Sequence, residues 1–376
     1  MNDYSSDRPR VVLHYLSYIH YRQSLFEKLL AVDSPIDFRL ICGNTSPYGV
    51  RSIGVDPPYL AKNIMVGPFI WQQGMLRKTF ELKPEVVVLL GVNPLILSSM
   101  VFFLILKLKG IKVVWWGHGT LGNQGVIGRR ARLFFYKMAD ATFVYNEKGK
   151  ETLLKNGVSA SQVFSIGNCI NDGDYGLVRI KNLNRRKSGF KQVEKVKLLF
   201  SGRLTKVKNV GLIFDCLSQM TEPQKKCFEV IIVGDGPERE RLEQEVIRLS
   251  LSQYVQFKGE KYDDEIEEFF LQAHFFIHPG SIGLAVFHSL SYGLPVITHN
   301  NFETQKPEAT VLNYRDNDLL FIEGNSCSLK EKLLSLKHIS ENTYSQKMND
   351  SIELAKKNMP YSVFEKFVEG INSVLR

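Results

Sequence analysis

The sequence lacks a cysteine pattern that would indicate disulfide bonds or a zinc site. Its five cysteines are odd in number, and no two of them stand in a C-x-x-C spacing. Disulfide frameworks and structural zinc sites both depend on paired cysteines at recurring spacings. Because unpaired thiols persist in reducing compartments, we expect a cytoplasmic protein.

The first ten residues, MNDYSSDRPR, lack the apolar core of a secretory signal peptide, so we do not expect secretion. Residues 86–106 carry no charge, and their length of about 21 residues would suffice to span a bilayer. A Gly-Val-Asn-Pro sequence that starts at Gly91 interrupts them where a strand would give way to a helix. We therefore predict a buried strand, Val86–Leu90, and an unusually apolar helix, Leu95–Leu108, which is a candidate for membrane contact.

Acidic residues are the minority among the charged ones, with 39 Asp and Glu against 48 Lys and Arg, a formal net charge of +9. The excess favours an anionic partner such as a phosphorylated ligand, an anionic membrane surface or nucleic acid. Nucleic acid is the least expected, because the basic residues gather in residues 179–197 and 128–137 without a recognition module. Residues 128–137 predict a helix that combines basic and aromatic side chains. Such a helix can lie on anionic lipid, but it can equally be a surface helix with a basic face in solvent and an apolar face packed on the protein.

At 376 residues, the chain has the length of two domains of ordinary size. Apolar strands alternate with segments long enough for helices, which predicts parallel sheets covered on both faces. We place an N-terminal domain at 1–170, a polar and basic linker at 171–195 and a C-terminal domain at 196–355. A final helix within 356–376 is expected to pack back on the body of the protein. The predicted strands of the first half are Val11–Leu16, Phe38–Cys42, Val86–Leu90, Val113–Trp116 and Thr142–Tyr145.

The segment Phe275–His299 combines a strand, a turn, a helix and a second strand around several glycines. A Pro-Gly pair ends the first strand, and the apolar spacing predicts a helix that begins near Ser281 or Ile282 and ends at Gly293. A helix start entered through this glycine-rich turn would present backbone N–H groups to a phosphate or a sugar hydroxyl. The same residues equally suit an ordinary strand-to-helix turn with glycines for close packing.

Three other strand ends carry candidate site residues. Gly202 and Arg203 follow an apolar strand, and Lys208 comes shortly after them. An Arg fork and a Lys point charge in one loop suit a diphosphate. Gly236 lies in a Gly-Asp-Gly turn after the next strand, which is a weak signal by itself. In the first half, His118 stands between two glycines, where it could bind a sugar, assist proton transfer or only cap a turn.

Four motifs follow one another in the second half: Gly202-Arg-Leu…Lys208-Asn209, Val233-Gly-Asp-Gly-Pro237, Phe257-Lys-Gly259 and Gly283-Leu…Ser291-Tyr-Gly-Leu-Pro-Val-Ile297. In this order and spacing they resemble the donor domain of the retaining GT-B glycosyltransferases of family 4. The resemblance covers roughly residues 195–330, with weaker support from Trp116-Gly-His-Gly119 and from the segment 166–171. It implies an α/β protein with two Rossmann-like domains facing across a cleft, the first for the acceptor and the second for a nucleotide sugar. It also implies that Arg203 and Lys208 hold the donor diphosphate and that His118 lies near the transferred sugar.

The sequence departs from the family pattern at the strand-to-helix corner. The family has a Glu, seven residues and another Glu there, whereas this sequence has Gly280 and His288. The resemblance implies that the second glutamate binds the donor ribose, which His288 could do only as a neutral ring with its lone pair facing the hydroxyl. Gly280 cannot replace the first glutamate, so we expect the N–H groups of Gly283 and Leu284, or the carboxylate of Glu308, to contact the sugar. This variant resembles a bacterial subgroup associated with surface-polysaccharide assembly.

We therefore expect a membrane-peripheral glycosyltransferase at the inner face of the cell membrane. It would move a hexose or a related sugar from a nucleotide diphosphate sugar to a lipid-linked or oligosaccharide acceptor, with retention and without a metal or cofactor. Two other interpretations stay open: a nucleotide-sugar epimerase on the same fold, and a catalytically silent binding protein. The catalytic candidates are His118, Arg203 and Lys208, and the donor-binding candidates are Gly202, Arg203, Lys208, Gly236, Ser281, Ile282, Gly283, Leu284, His288 and Glu308.

Overall fold

The computed structural model describes residues 8–19, 22–45, 59–120, 125–168, 195–261, 263–313, 317–358 and 363–376. The chain divides into two units, residues 1–173 with 361–376, and residues 174–360. The predicted linker, 171–195, lies outside the described residues except for its last position, as do residues 169–171 of the weaker family motif.

The first unit is built on a sheet in which the described residues form eight strands, in the order β4-β3-β2-β1-β5-β6-β7-β8. Neighbouring strands are parallel except for β3 and β4, which form an antiparallel hairpin. The strands β1, β2, β5, β6 and β7 lie within about one residue of the bounds predicted from the sequence, whereas the hairpin was not predicted. The strands β1 to β8 are Arg10–Tyr15, Asp37–Gly43, Tyr59–Val66, Phe69–Gln73, Val86–Leu90, Lys112–Gly117, Ala141–Val144 and Val163–Ser165.

Helices cover both faces of this sheet, as its fully buried central strands require. One face packs against α1, and the other against α2, α3, α4 and α5, each through buried apolar side chains. The uncharged segment 86–106 is divided as predicted, into a buried strand and an apolar helix. Across the described ranges, no helix is long and apolar enough to cross a membrane. The helices α1 to α5 are Gln23–Leu30, Met75–Leu82, Leu97–Leu108, Gly125–Met138 and Glu147–Lys155.

The second unit contains a parallel sheet, in which the described residues form six strands in the order β11-β10-β9-β12-β13-β14. Two apolar clusters fill its two faces. The strands β9 to β14 are Val196–Ser201, Phe228–Val233, Val255–Phe257, Phe275–His278, Val296–His299 and Leu320–Phe321. The helices α6 to α12 are Gly211–Ser218, Glu222–Lys225, Arg239–Arg248, Asp263–Gln272, Ala285–Ser291, Ser326–Leu336 and Glu341–Asn358.

The last helix, α13 (Val363–Leu375), returns to the first unit. Phe367 is fully buried there, with its ring centroid 5.0 Å from that of Trp116 and 5.1 Å from that of Phe143. Gly370 faces Phe143 so closely that a Cβ at this position would overlap the ring. The helix therefore completes the same face of the sheet as α1.

Candidate functional site

Three loops interlock at the carboxyl edge of the second sheet, after β9, β10 and β11. Gly202 donates its N–H to the carbonyl of Val233 at 3.0 Å, and Leu204 donates to Asp235 at 2.8 Å. A Cβ on Gly236 would overlap the backbone of Leu204. Gly236, predicted as a donor contact, therefore also has a packing role, because its bare Cα lets the two loops meet.

The loop after β9 is joined directly to the loop after β12. Lys208 donates from Nζ to the carbonyl oxygen of Ser281 at 2.7 Å, and Ser281 donates its N–H to the carbonyl oxygen of Val207 at 2.9 Å. Lys208 lies at the end of a short 3-10 helix, Lys206–Lys208. The structure thus brings together two predicted site segments that are 73 residues apart in the chain.

The close approach of these loops explains Gly280. A Cβ at this position would overlap the carbonyl oxygen of Val207 and the backbone carbonyl carbon of Lys208. No side chain fits there, so the glutamate of the family pattern is excluded by backbone atoms rather than merely absent.

The predicted helix start is wrong by about one turn. The helix α10 begins at Ala285, not near Ser281 or Ile282, although Gly293 follows its end with a φ of +64° as expected of a helix terminator. The N–H groups of Ser281 and Ile282 are already bonded, the first to Val207 and the second to Oε1 of Gln305 at 2.7 Å. These two amides therefore do not meet a ligand in this conformation.

The N–H groups of Gly283 and Leu284 remain as candidates for an anion. Within the described part of the chain they donate no hydrogen bond, and both residues are half-buried. Lys306 lies beside them, because a methyl group on Gly283 would sit 3.8 Å from Cγ of Lys306. A pair of adjacent backbone donors with a lysine alongside suits a phosphate group.

Charge accumulates around Lys208. The pKa of Lys208 is lowered from its ordinary value of 10.5 to about 8, mainly because burial disfavours the charged form; the nearby cation of Lys306 adds to the lowering and Glu308 opposes it. Glu308 is buried and lies within electrostatic reach of Lys208. Two lysines held within electrostatic reach of each other are stabilised when an anion binds between them.

Gln305 holds the turn of Ser281–Leu284 in place. Its Oε1 accepts from Ile282, its Nε2 donates to Oγ1 of Thr298 at 2.9 Å, and Thr298 donates to the carbonyl of His278 at 2.8 Å. Both ends of this buried side chain are thus used within the protein.

The remaining candidates lie as follows. Arg203 is exposed on the loop after β9, five positions before Lys208. His288 lies on α10 with its ring centroid 4.3 Å from that of Phe270 and 5.6 Å from that of Tyr292, so aromatic packing accounts for part of its surroundings. His118 belongs to the first unit, where it is exposed at the end of β6 with its ring 4.7 Å from that of Tyr145 in an edge-on contact.

Lys306 was not predicted as a site residue. It lies in the polar loop after β13, two residues before Glu308, and nothing in its local pattern distinguishes it from other surface lysines. The signal that identifies it is spatial, since it lies beside Gly283 and Lys208.

Two Rossmann-like units, the second with cations and backbone amides at the carboxyl edge of its sheet, define a protein of the GT-B class. HepE of Anabaena, solved with UDP and glucose, superposes with a TM-score of 0.67 at 14% identity over 98% of this chain and 100% of that one. A Listeria monocytogenes protein assigned as a UDP-N-acetylglucosamine 2-epimerase superposes with a TM-score of 0.63 at 13% identity, over 98% and 97% of the two chains. At these identities the likeness shows the fold alone.

Residues 181–357 match the sequence model of the family Glycosyl transferases group 1. The alpha-monoglucosyldiacylglycerol synthase of Streptococcus pneumoniae is 27% identical over 197 residues, which are 50% of this chain. The match spans 42% of the length of that relative.

Proposed function

We propose that the protein is a glycosyltransferase that moves a sugar from a nucleotide diphosphate sugar to a lipid-linked or oligosaccharide acceptor. The observation that carries the proposal is the joined pair of loops in the second unit, in which Lys208 is bonded to Ser281 beside the N–H groups of Gly283 and Leu284. This arrangement supplies fixed positive charge and backbone donors at one place, as the departure of a diphosphate requires.

The roles of the cations follow from the chemistry. As the bond between the sugar carbon and the diphosphate oxygen breaks, negative charge grows on the diphosphate. The acceptor hydroxyl oxygen bonds to the sugar carbon and releases its proton to the leaving diphosphate or to solvent. Lys208, Lys306 and Arg203 would stabilise that charge, and the amides of Gly283 and Leu284 would bind a phosphate or sugar oxygen. The proposal includes a retaining reaction, as the family resemblance implies, and it includes no metal ion or organic cofactor.

The biological setting is part of the same proposal. We place the enzyme at the cytoplasmic face of a bacterial membrane, in the assembly of a surface polysaccharide such as capsule, O-antigen or exopolysaccharide. The pneumococcal relative is named as the synthase of a glucosylated lipid, which supports a lipid acceptor. The described cysteines, Cys42, Cys216, Cys227 and Cys327, are free thiols, as expected in a reducing compartment.

Nucleotide binding is the first test. Thermal unfolding would be followed with UDP, GDP, ADP and their glucose conjugates, and one base series should raise the melting temperature; a ligand at 100 times its Kd adds about 2.7 kcal/mol. Arg203→Ala and Lys306→Ala should each weaken the selected nucleotide about fivefold to tenfold, whereas Lys337→Ala, an exposed lysine elsewhere in the same unit, should leave its affinity unchanged. Unchanged binding in both site variants would exclude this diphosphate site.

Turnover then separates the candidate functions. The epimerase remains the second candidate because the fold also matches the Listeria protein. Incubating the selected nucleotide sugar alone should leave it intact under the transferase hypothesis and rearrange it under the epimerase hypothesis. A catalytically silent binding protein would bind the donor but would not turn it over with any lipid or oligosaccharide acceptor, and His288→Glu would not create activity.

A further inference from the structure

The helix α3 has a second apolar face that the protein does not cover. Phe102, Phe103 and Leu106 are buried against the sheet, whereas Val101, Leu104 and Leu108 lie on the opposite side of the helix and are exposed, Leu108 by 87%. An amphipathic helix of a globular protein normally turns charged or polar residues outward. A helix that is apolar on both faces needs a second apolar environment.

The neighbouring elements extend this exposed surface. On one side, Trp71 of β4 is exposed and its ring centroid lies 5.7 Å from that of Phe102. On the other side, α4 packs through Phe135 against Phe103 of α3, with the ring centroids 5.4 Å apart. Ile127 and Phe134 of α4 are exposed, Ile127 by 85%. We call this set of exposed apolar side chains on β4, α3 and α4 the apolar face; its members are Trp71, Val101, Leu104, Leu108, Ile127 and Phe134.

The charges in these elements have one sign. The hairpin 59–73, the helix α3 and the helix α4 contain no Asp or Glu. They contribute Lys62, Arg129, Arg130 and Lys137, all exposed. Lys107 of α3 pairs with Asp140 at 2.8 Å. Apolar side chains interspersed with cations match the boundary between the acyl chains and the headgroups of an anionic bilayer.

We propose that the apolar face is a membrane-docking surface, on which the first unit rests against anionic lipid with Leu108, Ile127 and Trp71 in the acyl boundary and Arg129 and Arg130 at the phosphates. A second copy of this chain fits less well, because a shared face would bring the cations of both copies together. This docking surface rests on the proposed function for its biological role. An enzyme docked on the membrane would meet a lipid-linked acceptor at the surface where that acceptor resides.

The test measures vesicle binding of the full chain without nucleotide, so that its failure is distinct from a failure of the donor site. Flotation would compare vesicles of phosphatidylcholine alone with vesicles that contain about one third phosphatidylglycerol. The wild type should float with the anionic vesicles only. Leu108→Glu combined with Ile127→Glu should lower that binding at least about tenfold, because two charges would enter the acyl boundary. Val32→Glu, at an apolar position 90% exposed elsewhere in the unit, is the matched control and should bind as the wild type does.

A second measurement needs no acidic variant. Of the three tryptophans, Trp115 and Trp116 are buried, so a change in emission on docking reports Trp71. Anionic vesicles with brominated acyl chains should quench this emission, and Trp71→Phe should abolish the quenching. The proposal is overturned if the wild type neither floats nor shows quenching, or if the double variant floats equally well. It is also overturned if sedimentation shows that the wild type is a dimer and the double variant a monomer, while neither protein binds vesicles.

Discussion

Gly280 shows at the scale of one residue how this chain departs from the family pattern that it resembles. In the family pattern a glutamate stands there, but the backbone of Val207 and Lys208 occupies the space that a side chain would need. The bonds between Lys208 and Ser281 and between Ser281 and Val207 keep the two loops at this distance. The change from Glu to Gly and the close contact of the loops are therefore one structural feature.

Gly280→Ala should consequently destabilise the protein. The added methyl group would force the loops apart, at a cost of about 1–3 kcal/mol in the free energy of unfolding. Gly283→Ala is the matched control, because its methyl group would meet only Lys306 Cγ at 3.8 Å, an ordinary contact. Urea denaturation compares the two variants, and equal stability of Gly280→Ala and wild type would contradict the steric explanation.

The lowered pKa of Lys208 predicts a pH dependence of ligand binding. Lys208 attracts a diphosphate only when protonated, so nucleotide affinity should fall as the pH rises through about 8, with a bound anion moving this fall upward. The stability of the free protein should change in the opposite direction. Because the folded pKa lies below the ordinary 10.5, the unfolded chain holds more protons between about pH 8 and pH 10.5, and stability should rise across that window.

Calorimetric titration between pH 7 and pH 10 checks this dependence. Lys208→Arg should keep binding and remove the fall, since a guanidinium stays protonated over the whole range. Lys206→Arg, on the exposed neighbour in the same loop, should retain the fall. If the nucleotide affinity of the wild type did not change with pH over this range, the positive charge of Lys208 would not contribute to nucleotide binding.

At the scale of elements, the turn Ser281–Leu284 is shaped by Gln305 rather than by the helix that follows it. The apolar periodicity predicted the helix but placed its start too early, because Ile282 is buried as a core residue while its N–H is bonded to Gln305 outside the helix. Apolar spacing reports which side chains are buried and does not report where backbone hydrogen bonds go.

Gln305→Met should loosen that turn. The substitution removes both hydrogen bonds of the side-chain amide and leaves the buried N–H of Ile282 without its acceptor. This should lower the free energy of unfolding by about 1–3 kcal/mol. We also expect weaker nucleotide binding, because Gly283 and Leu284, whose N–H groups are the proposed phosphate donors, directly follow Ile282 in the chain. Gln256→Met removes an exposed bond to Glu229 on an outer strand and should change stability by less than about 0.5 kcal/mol. Equal effects of the two variants would show that Gln305 has no special role.

At the scale of the whole molecule, the chain forms the first unit, builds the second and then returns through α13. Phe367 of that helix lies in the first unit's core against Trp116 and Phe143. The first unit is therefore incomplete until the end of the chain has been reached. The second unit, by contrast, is one continuous segment of the chain.

Phe367→Ala should destabilise the first unit by about 3–5 kcal/mol while the second unit keeps its nucleotide site. Scanning calorimetry with and without the selected nucleotide would identify the second unit's transition as the one that the ligand raises. The variant should lower the other transition only. Glu369→Ala, at an exposed position of the same helix, should leave both unchanged, and a loss of nucleotide binding in Phe367→Ala would contradict the assignment of α13 to the first unit.

The sequence by itself determined the alternation of strands and helices in both halves, because buried parallel strands such as Val86–Leu90 are continuous apolar runs that local periodicity reveals. The order and spacing of the motifs also singled out Gly202, Lys208 and Gly236 as candidates. The hairpin of β3 and β4 was not predicted, because its half-exposed strands contain no continuous apolar run.

Only the tertiary structure decided how those positions work together. Lys208 and Ser281 are 73 residues apart, the role of Gln305 depends on bonds to two separate elements, and Lys306 matters only because it lies beside Gly283. The exclusion of a side chain at Gly280 likewise depends on backbone atoms from another loop. Contacts of this kind arise when the sheet aligns its strand ends, and no local pattern in the chain encodes them.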